Sequence, residues 1–265
     1  MRITAPFGQY VPVASPVHAL EPRAKMALAA AYTVLLFTVE GFAGLAFAAV
    51  LGAAALAASR VPARLALRGV RTVSILLAFT VAAHSLRWEP ATVALLRVGS
   101  LGIDGEGLAT GLFLALRIVL LVVATSLLTL TTTPVELTDA LEKLMRPLRA
   151  VGVPVGDVAM MLSIALRFIP TTAEEAEKVI VAQTARGARL GEGGPLRRAR
   201  AYVPVLVPLF VGLFRRADEL ATAMEARCYR GGEGRTRLRE RRMCPSDWAV
   251  LAAGVTLMVA GSVAL

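Results

Sequence analysis

Cysteine and histidine are almost missing from these 265 residues: Cys228 and Cys244 form no C-x-x-C pair, and His18 and His84 stand 66 positions apart. That spacing offers neither a zinc-ligand set nor a disulfide framework. The chain also lacks a G-x-x-x-x-G-K-[ST] phosphate loop, so any ATP hydrolysis must come from another chain. Gly231-Gly232-Glu233-Gly234 is glycine-rich but has no lysine followed by Ser or Thr, and it reads as a flexible exit from a helix. Carboxylates and histidines do not converge into a catalytic constellation, which leaves an enzyme of phosphorylated lipids without residues for its chemistry. No catalytic, metal or cofactor site is expected. Charge is scarce as well: Asp, Glu, Lys and Arg make up 18% of the chain, against about 25% in soluble domains.

What is present is apolar. Hydrophobic residues amount to 56%, the mean hydropathy is +0.65, and the apolar residues come in blocks. The N-terminus carries Pro6, Pro12, Pro16 and Pro22 and lacks the continuous apolar core of a secretory signal. It therefore reads as mature protein, with the first membrane segment directing insertion. Residues 26–58 are apolar except around Glu40-Gly41, which predicts a helical hairpin of 26–39 and 42–58. Further apolar runs cover 72–86, 108–130 and 247–265. The first arm is short beside the ~20 residues that a span requires.

Basic residues orient these spans, because Lys and Arg near membrane ends stay on the cytoplasmic side. Arg60, Arg64, Arg68 and Arg71 place loop 59–71 inside, together with Arg23 and Lys25 of the N-terminal segment. Loop 87–107 is then external. Residues 131–246 hold 19 of the 29 basic residues, which makes them a cytoplasmic insert. The expected architecture is all-α and polytopic: a cytoplasmic segment 1–25, four transmembrane helices in 26–130, the insert 131–246, and a last transmembrane helix at 247–265. The lipid bilayer is its first partner; nucleic acid is not expected.

Within the insert, the apolar stretches 155–169 and 202–214 are short and flanked or interrupted by Pro154, Pro170, Pro204 and Pro208. They read as helices along the membrane surface rather than spans. Each runs into a charged helix. Thr171-Thr172-Ala173-Glu174 has the pattern of a capping box, and the helix it opens closes at Ala185-Arg186-Gly187. The second has Leu213, Ala217, Leu220 and Met224 at helical spacing and closes at Ala226-Arg227-Cys228. Each helix thus presents an arginine at its C-terminal tip. A lone arginine there is an ordinary cap, favoured by the partial negative charge of the last carbonyls. Two on one insert make a candidate plug for acidic groups of a soluble partner, since the guanidinium fork pairs bidentately with carboxylates.

Arg117 falls near the middle of the 108–130 span. An intramembrane charge points to function, and pairing with Glu40 or with carbonyls of a neighbouring helix is the structural alternative.

Four stretches resemble one family, the transmembrane coupling subunits of energy-coupling factor (ECF) transporters, also called cobalt-transport permease-like proteins. Gly8-Gln9-Tyr10-Val11-Pro12 with Ser15, His18, Leu20, Pro22, Arg23 and Lys25 is similar to its entry segment. Leu127-Leu128-Thr129-Leu130-Thr131-Thr132 with Pro134, Glu136, Leu137, Ala140, Leu141 and Glu142 looks like the start of its first coupling helix. Ala182-Gln183-Thr184-Ala185-Arg186-Gly187 and Ala223-Met224-Glu225-Ala226-Arg227-Cys228-Tyr229-Arg230-Gly231 resemble its two Ala-Arg-Gly motifs. Cys228 replaces the usual glycine of the second motif, and Ala14 and Glu21 stand in the entry segment where glycine and aspartate are expected. The resemblance implies a non-catalytic subunit of an ATP-driven importer of vitamins or transition-metal ions in the cell membrane. Its implied partners are two cytosolic ATPase subunits, which dock at Arg186 and Arg227, and a small integral membrane subunit that binds the substrate. A stand-alone channel or secondary transporter, in which 155–170 and 202–214 also span and Glu192 is protected or external, is the other reading.

Overall fold

A computed structural model of the chain describes residues 10–87, 94–98, 101–188, 194–231 and 243–264. Readings attached to Gly8, Gln9, Glu192 and residues 232–242 lie outside them. Helices α1 (Pro16–Ala19), α2 (Pro22–Thr38), α3 (Phe42–Ser59), α4 (Ala63–Ala66) and α5 (Arg68–Ser85) lead to strands β1 (Leu86–Arg87), β2 (Ala94–Val98) and β3 (Leu101–Asp104). There follow α6 (Gly105–Thr131), α7 (Pro134–Met145), a 3-10 turn at Arg146–Val151, α8 (Val155–Ala185), α9 (Pro195–Ala201), α10 (Val203–Ala226) and α11 (Pro245–Ala264). The protein is an all-α polytopic membrane protein in its body. The strands are a local addition in the loop after α5, antiparallel in the order β1-β3-β2.

The chain divides into two compact units, Gly8–Leu137 with Arg239–Leu265, and Thr138–Leu238 with the first seven residues. In the former, the hairpin α2–α3 closes on Leu35, Leu36, Val39, Leu45 and Ala48, and the Tyr32 hydroxyl donates to the Ala48 carbonyl at 2.8 Å. One end of this unit gathers the N-terminal segment and the C-terminus of α6. Val11 N–H donates to the Leu130 carbonyl at 3.0 Å, and the buried Lys25 ammonium donates to the Thr131 carbonyl at 2.9 Å. Lys25 is thus a cation on the last carbonyls of a helix, where the dipole favours it. At the opposite end the α2–α3 turn meets α6, with the Phe42 and Phe113 rings edge to face at 5.5 Å.

The α5–α6 contact rests on small residues. Gly107, Gly111 and Ala115 recur every fourth position on α6 and are all buried, so that the backbones approach closely. A Cβ at Gly107 would run into the His84 carbonyl, and one at Gly111 would lie 3.0 Å from Val81 Cα. Gly111→Leu is therefore expected to force α5 from α6 and to lower the melting temperature of the purified protein by at least several degrees, since overpacking costs ~1–3 kcal/mol. Scanning fluorimetry of the detergent-solubilised chain measures this.

Among the described residues, four helices are long and apolar enough to cross a membrane: α3, α6, α8 and Pro245–Val263 of α11. α2, with 17 residues, is short, and α5 begins with Arg68 and Arg71. Lipid and neighbouring helices must cover the rest of the apolar surface, which includes Ile75, Phe79 and Phe37.

The capping box expected at 171–174 does not form. α8 runs unbroken for 31 residues with Pro170 inside it. An internal proline forfeits one backbone bond and crowds the carbonyl four residues back, but the packing of α8 on α10 holds the helix through it. The capping box sits instead at the start of α7, where Thr133 N–H donates to Glu136 Oε2 and Glu136 N–H donates to Thr133 Oγ1, both at 3.2 Å.

Candidate functional site

Helices end where the last carbonyls find other donors, and α8 and α10 end identically. At the tip of α8, Arg186 is the cap residue and Gly187 is left-handed at φ +88. Ala188 N–H donates to the Gln183 carbonyl and Gly187 N–H to that of Thr184, each at 3.0 Å. At the tip of α10, Arg227 is the cap and Cys228 is left-handed at φ 57. Tyr229 N–H donates to the Met224 carbonyl at 3.0 Å and Cys228 N–H to that of Glu225 at 2.9 Å. Both are Schellman ends, so the cysteine keeps the geometry of the glycine it replaces.

That geometry has a cost at one tip only. A residue with a Cβ in the left-handed region is strained by ~1–2 kcal/mol, and glycine is not. Cys228→Gly is expected to stabilise the tip by about 1 kcal/mol, seen as slower hydrogen exchange at the Cys228 and Tyr229 amides.

The consequence of the shared cap is presentation. Ala185, Arg186, Gly187, Ala226, Arg227 and Cys228 are all exposed. Among the described residues no carboxylate pairs with either guanidinium. Both tips belong to one compact unit, and among the described residues no backbone hydrogen bond joins them to each other.

Sequence reading missed the contact that joins α8 to α10 behind the tips. Arg216 Nη2 of α10 donates to Glu175 Oε1 of α8, and the Arg216 guanidinium lies 5.8 Å from the centre of the Phe168 ring. Arg216 Nη1 is buried without a partner. An apolar groove of about 260 Å³ adjoins it, lined by Ile164, Phe168, Leu213, Leu220 and Met224 among others. The two helices carry opposite charges at matching distances from their tips, a signal that was available in the sequence.

Arg117 is in the other unit. Its Nη2 donates to the Val39 carbonyl at 2.6 Å, and the guanidinium stands 4.7 Å from the Phe113 ring centre and 5.8 Å from that of Phe37. Of the two structural partners considered from sequence, the carbonyl is the one engaged; Glu40 is exposed.

Residues 14–238 match the family described as CbiQ, cobalt transport protein, a stretch that includes both tips. The chain belongs to this family. It is 46% identical over 256 residues to an energy-coupling factor transporter transmembrane protein EcfT of Thermosediminibacter oceani, covering 97% of this chain and 96% of that one. The protein of the same name from Thermanaerovibrio acidaminovorans is 49% identical over 257 residues, 96% of this chain and 93% of the relative. That from Brevibacillus brevis is 43% identical over 254 residues, 95% of each. The family is thus that of the ECF transporter transmembrane component, and the chain is a multi-pass membrane protein of that kind.

Proposed function

We propose that the chain couples two cytosolic ATPase subunits to a small substrate-binding membrane subunit in an importer of the cell membrane, and that Arg186 and Arg227 are its two ATPase-docking groups. The observation that carries this reading is the pair of identical Schellman ends, each holding an exposed arginine that no carboxylate among the described residues pairs with. The cap fixes the backbone of each arginine at the end of a rigid helix, so only the side chain has to be ordered when its guanidinium enters an acidic groove on a partner. ATP hydrolysis belongs to those partners. The groove between α8 and α10 and the exposed apolar side chains Met161, Val207 and Phe210 supply the surface for the membrane subunit.

Sidedness follows from one end of the Gly8–Leu137 unit. Lys25 reaches Thr131 there, and Arg23, Arg60, Arg64, Arg68 and Arg71 belong to the segments that start or finish there. Positive charge marks the cytoplasmic side, so the N-terminus and residues 131–246 are assigned to the cytoplasm. The short strands after α5 and the C-terminus of α11 are then external.

Cys228 is a natural reporter of both claims. In a Cys244→Ser background, an impermeant maleimide is expected to label Cys228 in inside-out vesicles and not in right-side-out ones, and bound ATPases are expected to protect it. Labelling of Cys228 from the outside would overturn this sidedness; the stand-alone transporter, which the length and composition of α8 allow, also leaves Cys228 inside and would be supported instead by external labelling of a Glu192→Cys variant. Cytoplasmic labelling that ATPases never block would remove the docking role.

A further inference from the structure

The ion pair Glu175–Arg216 and the two arginine tips share one register. Glu175 precedes Arg186 by eleven residues, and Arg216 precedes Arg227 by eleven; both pairs of positions are 41 apart. From the ion pair, each tip is reached along helix that contains neither glycine nor proline, residues 176–185 in α8 and 217–226 in α10. At ~1.5 Å per residue these are two arms of roughly 16 Å. Apart from Arg216, the groove beside this pair is lined by apolar side chains. Apolar contacts slide readily in register, whereas a guanidinium bonded to one carboxylate and set against one aromatic face has a single position. The crossing is therefore fixed at one point, and that point is equally far from both tips.

Resting on the docking role proposed above, we infer that Glu175 and Arg216 are positioning residues: their ion pair is the fulcrum that holds the two tip arginines at a set separation and turns their approach into a movement of the α8–α10 groove. When bound ATPases draw the tips together, equal arms about a fixed crossing convert that motion into rotation of one helix against the other. Without the pin, the same pull is spent in sliding, and each tip moves alone. Arg216 sits at the groove wall, so the rotation is felt where an apolar partner would be gripped. The nearby charges Glu174, Arg215 and Asp218 are exposed and have no ion pair of this kind with the facing helix among the described residues.

Two readouts separate this role from simple support of the fold. The first uses the full chain alone in lipid nanodiscs, with Cys244→Ser and spin labels at Cys228 and at Ala188→Cys. Pulsed electron resonance is expected to give one narrow tip-to-tip distance with Glu175 and Arg216 in place. Glu175→Gln or Arg216→Gln should broaden it, and the exchange Glu175→Arg with Arg216→Glu should narrow it again. The second readout is the number of substrate molecules imported per ATP hydrolysed by the assembled complex. It is expected to fall roughly tenfold in either single variant, the scale of an intersite coupling, while ATPase copurification stays normal because both tips are intact. A distance distribution that ignores both single variants overturns the fulcrum. So does broadening that the exchange does not reverse, or an unchanged import-to-ATP ratio. Failure of the unaltered chain to bind ATPases would instead overturn the docking role, and the distances would still report on the pin.

Discussion

Reversing both tip charges, Arg186→Glu with Arg227→Glu, is expected to abolish ATPase association and to reduce import by three orders of magnitude or more. Removing one member of a desolvated charge pair costs ~2–5 kcal/mol, and the two tips would enter separate partners, so their losses should add. A reversal goes further than a removal, because it sets like charges against each other in the docking grooves. Each single change should leave a partly docked complex, with import lowered by about tenfold or more for every 1.4 kcal/mol lost. Both arginines are exposed caps whose backbone bonds do not involve the side chain, so membrane levels and melting temperature should stay near those of the unaltered chain. Copurification with the ATPases at matched membrane levels checks the prediction. Unchanged binding in the double variant would remove the plug and leave the stand-alone transporter as the reading to pursue.

The legible parts of this fold are those where one local rule decides. Apolar length found the hairpin arms α2 and α3, the long α6 and the closing α11 to within a few residues, because lipid demands internally bonded helices of a set length. Helix-end chemistry found both tips, since an arginine followed by a left-handed position is written in consecutive residues. Proline misled where it is usually informative. Pro170 reads as a break between an apolar and a charged helix, yet α8 passes through it, because the facing α10 outweighs one lost backbone bond. The capping box was likewise read at Thr171, where the tetrapeptide occurs, rather than at Thr133, where a free helix end exists to be capped.

What the sequence concealed were the pairings across long separations. Lys25 with the Thr131 carbonyl, Arg117 with the Val39 carbonyl and Arg216 with Glu175 span 106, 78 and 41 residues. Two of the three acceptors are backbone carbonyls, which every residue carries, so no residue type betrays them. The third pair could have been found by laying one tip helix over the other at the tip spacing, where Glu174-Glu175 faces Arg215-Arg216.

Arg117→Leu is expected to lower the stability of the protein by ~2–4 kcal/mol, and to lower import only in proportion to the folded protein lost. α2 ends at Thr38, and its cap residue Val39 meets α6 at Arg117, which has twelve residues of α6 before it and fourteen after it. At ~1.5 Å per residue the turn of the α2–α3 hairpin lies roughly 21 Å from the Thr131 end of α6, less than the ~30 Å hydrocarbon thickness. A helix end at that depth has no water to bond its last carbonyls, and leaving one unmet in apolar surroundings is costly. Arg117 meets the need with a donor, with a positive charge at the negative end of the α2 dipole, and with a flat cation against Phe113 and Phe37. Leucine has a similar bulk but none of these. It does relieve the buried Arg117 Nε, which has no partner, and this offsets part of the loss. Arg117→Lys keeps one donor and the charge but loses the planar fit, so it should fall between the two. Thermal denaturation in nanodiscs, set beside import per folded molecule, separates the roles. A stable Arg117→Leu protein that cannot import would show that the intramembrane charge acts in transport itself rather than as the clasp of the hairpin.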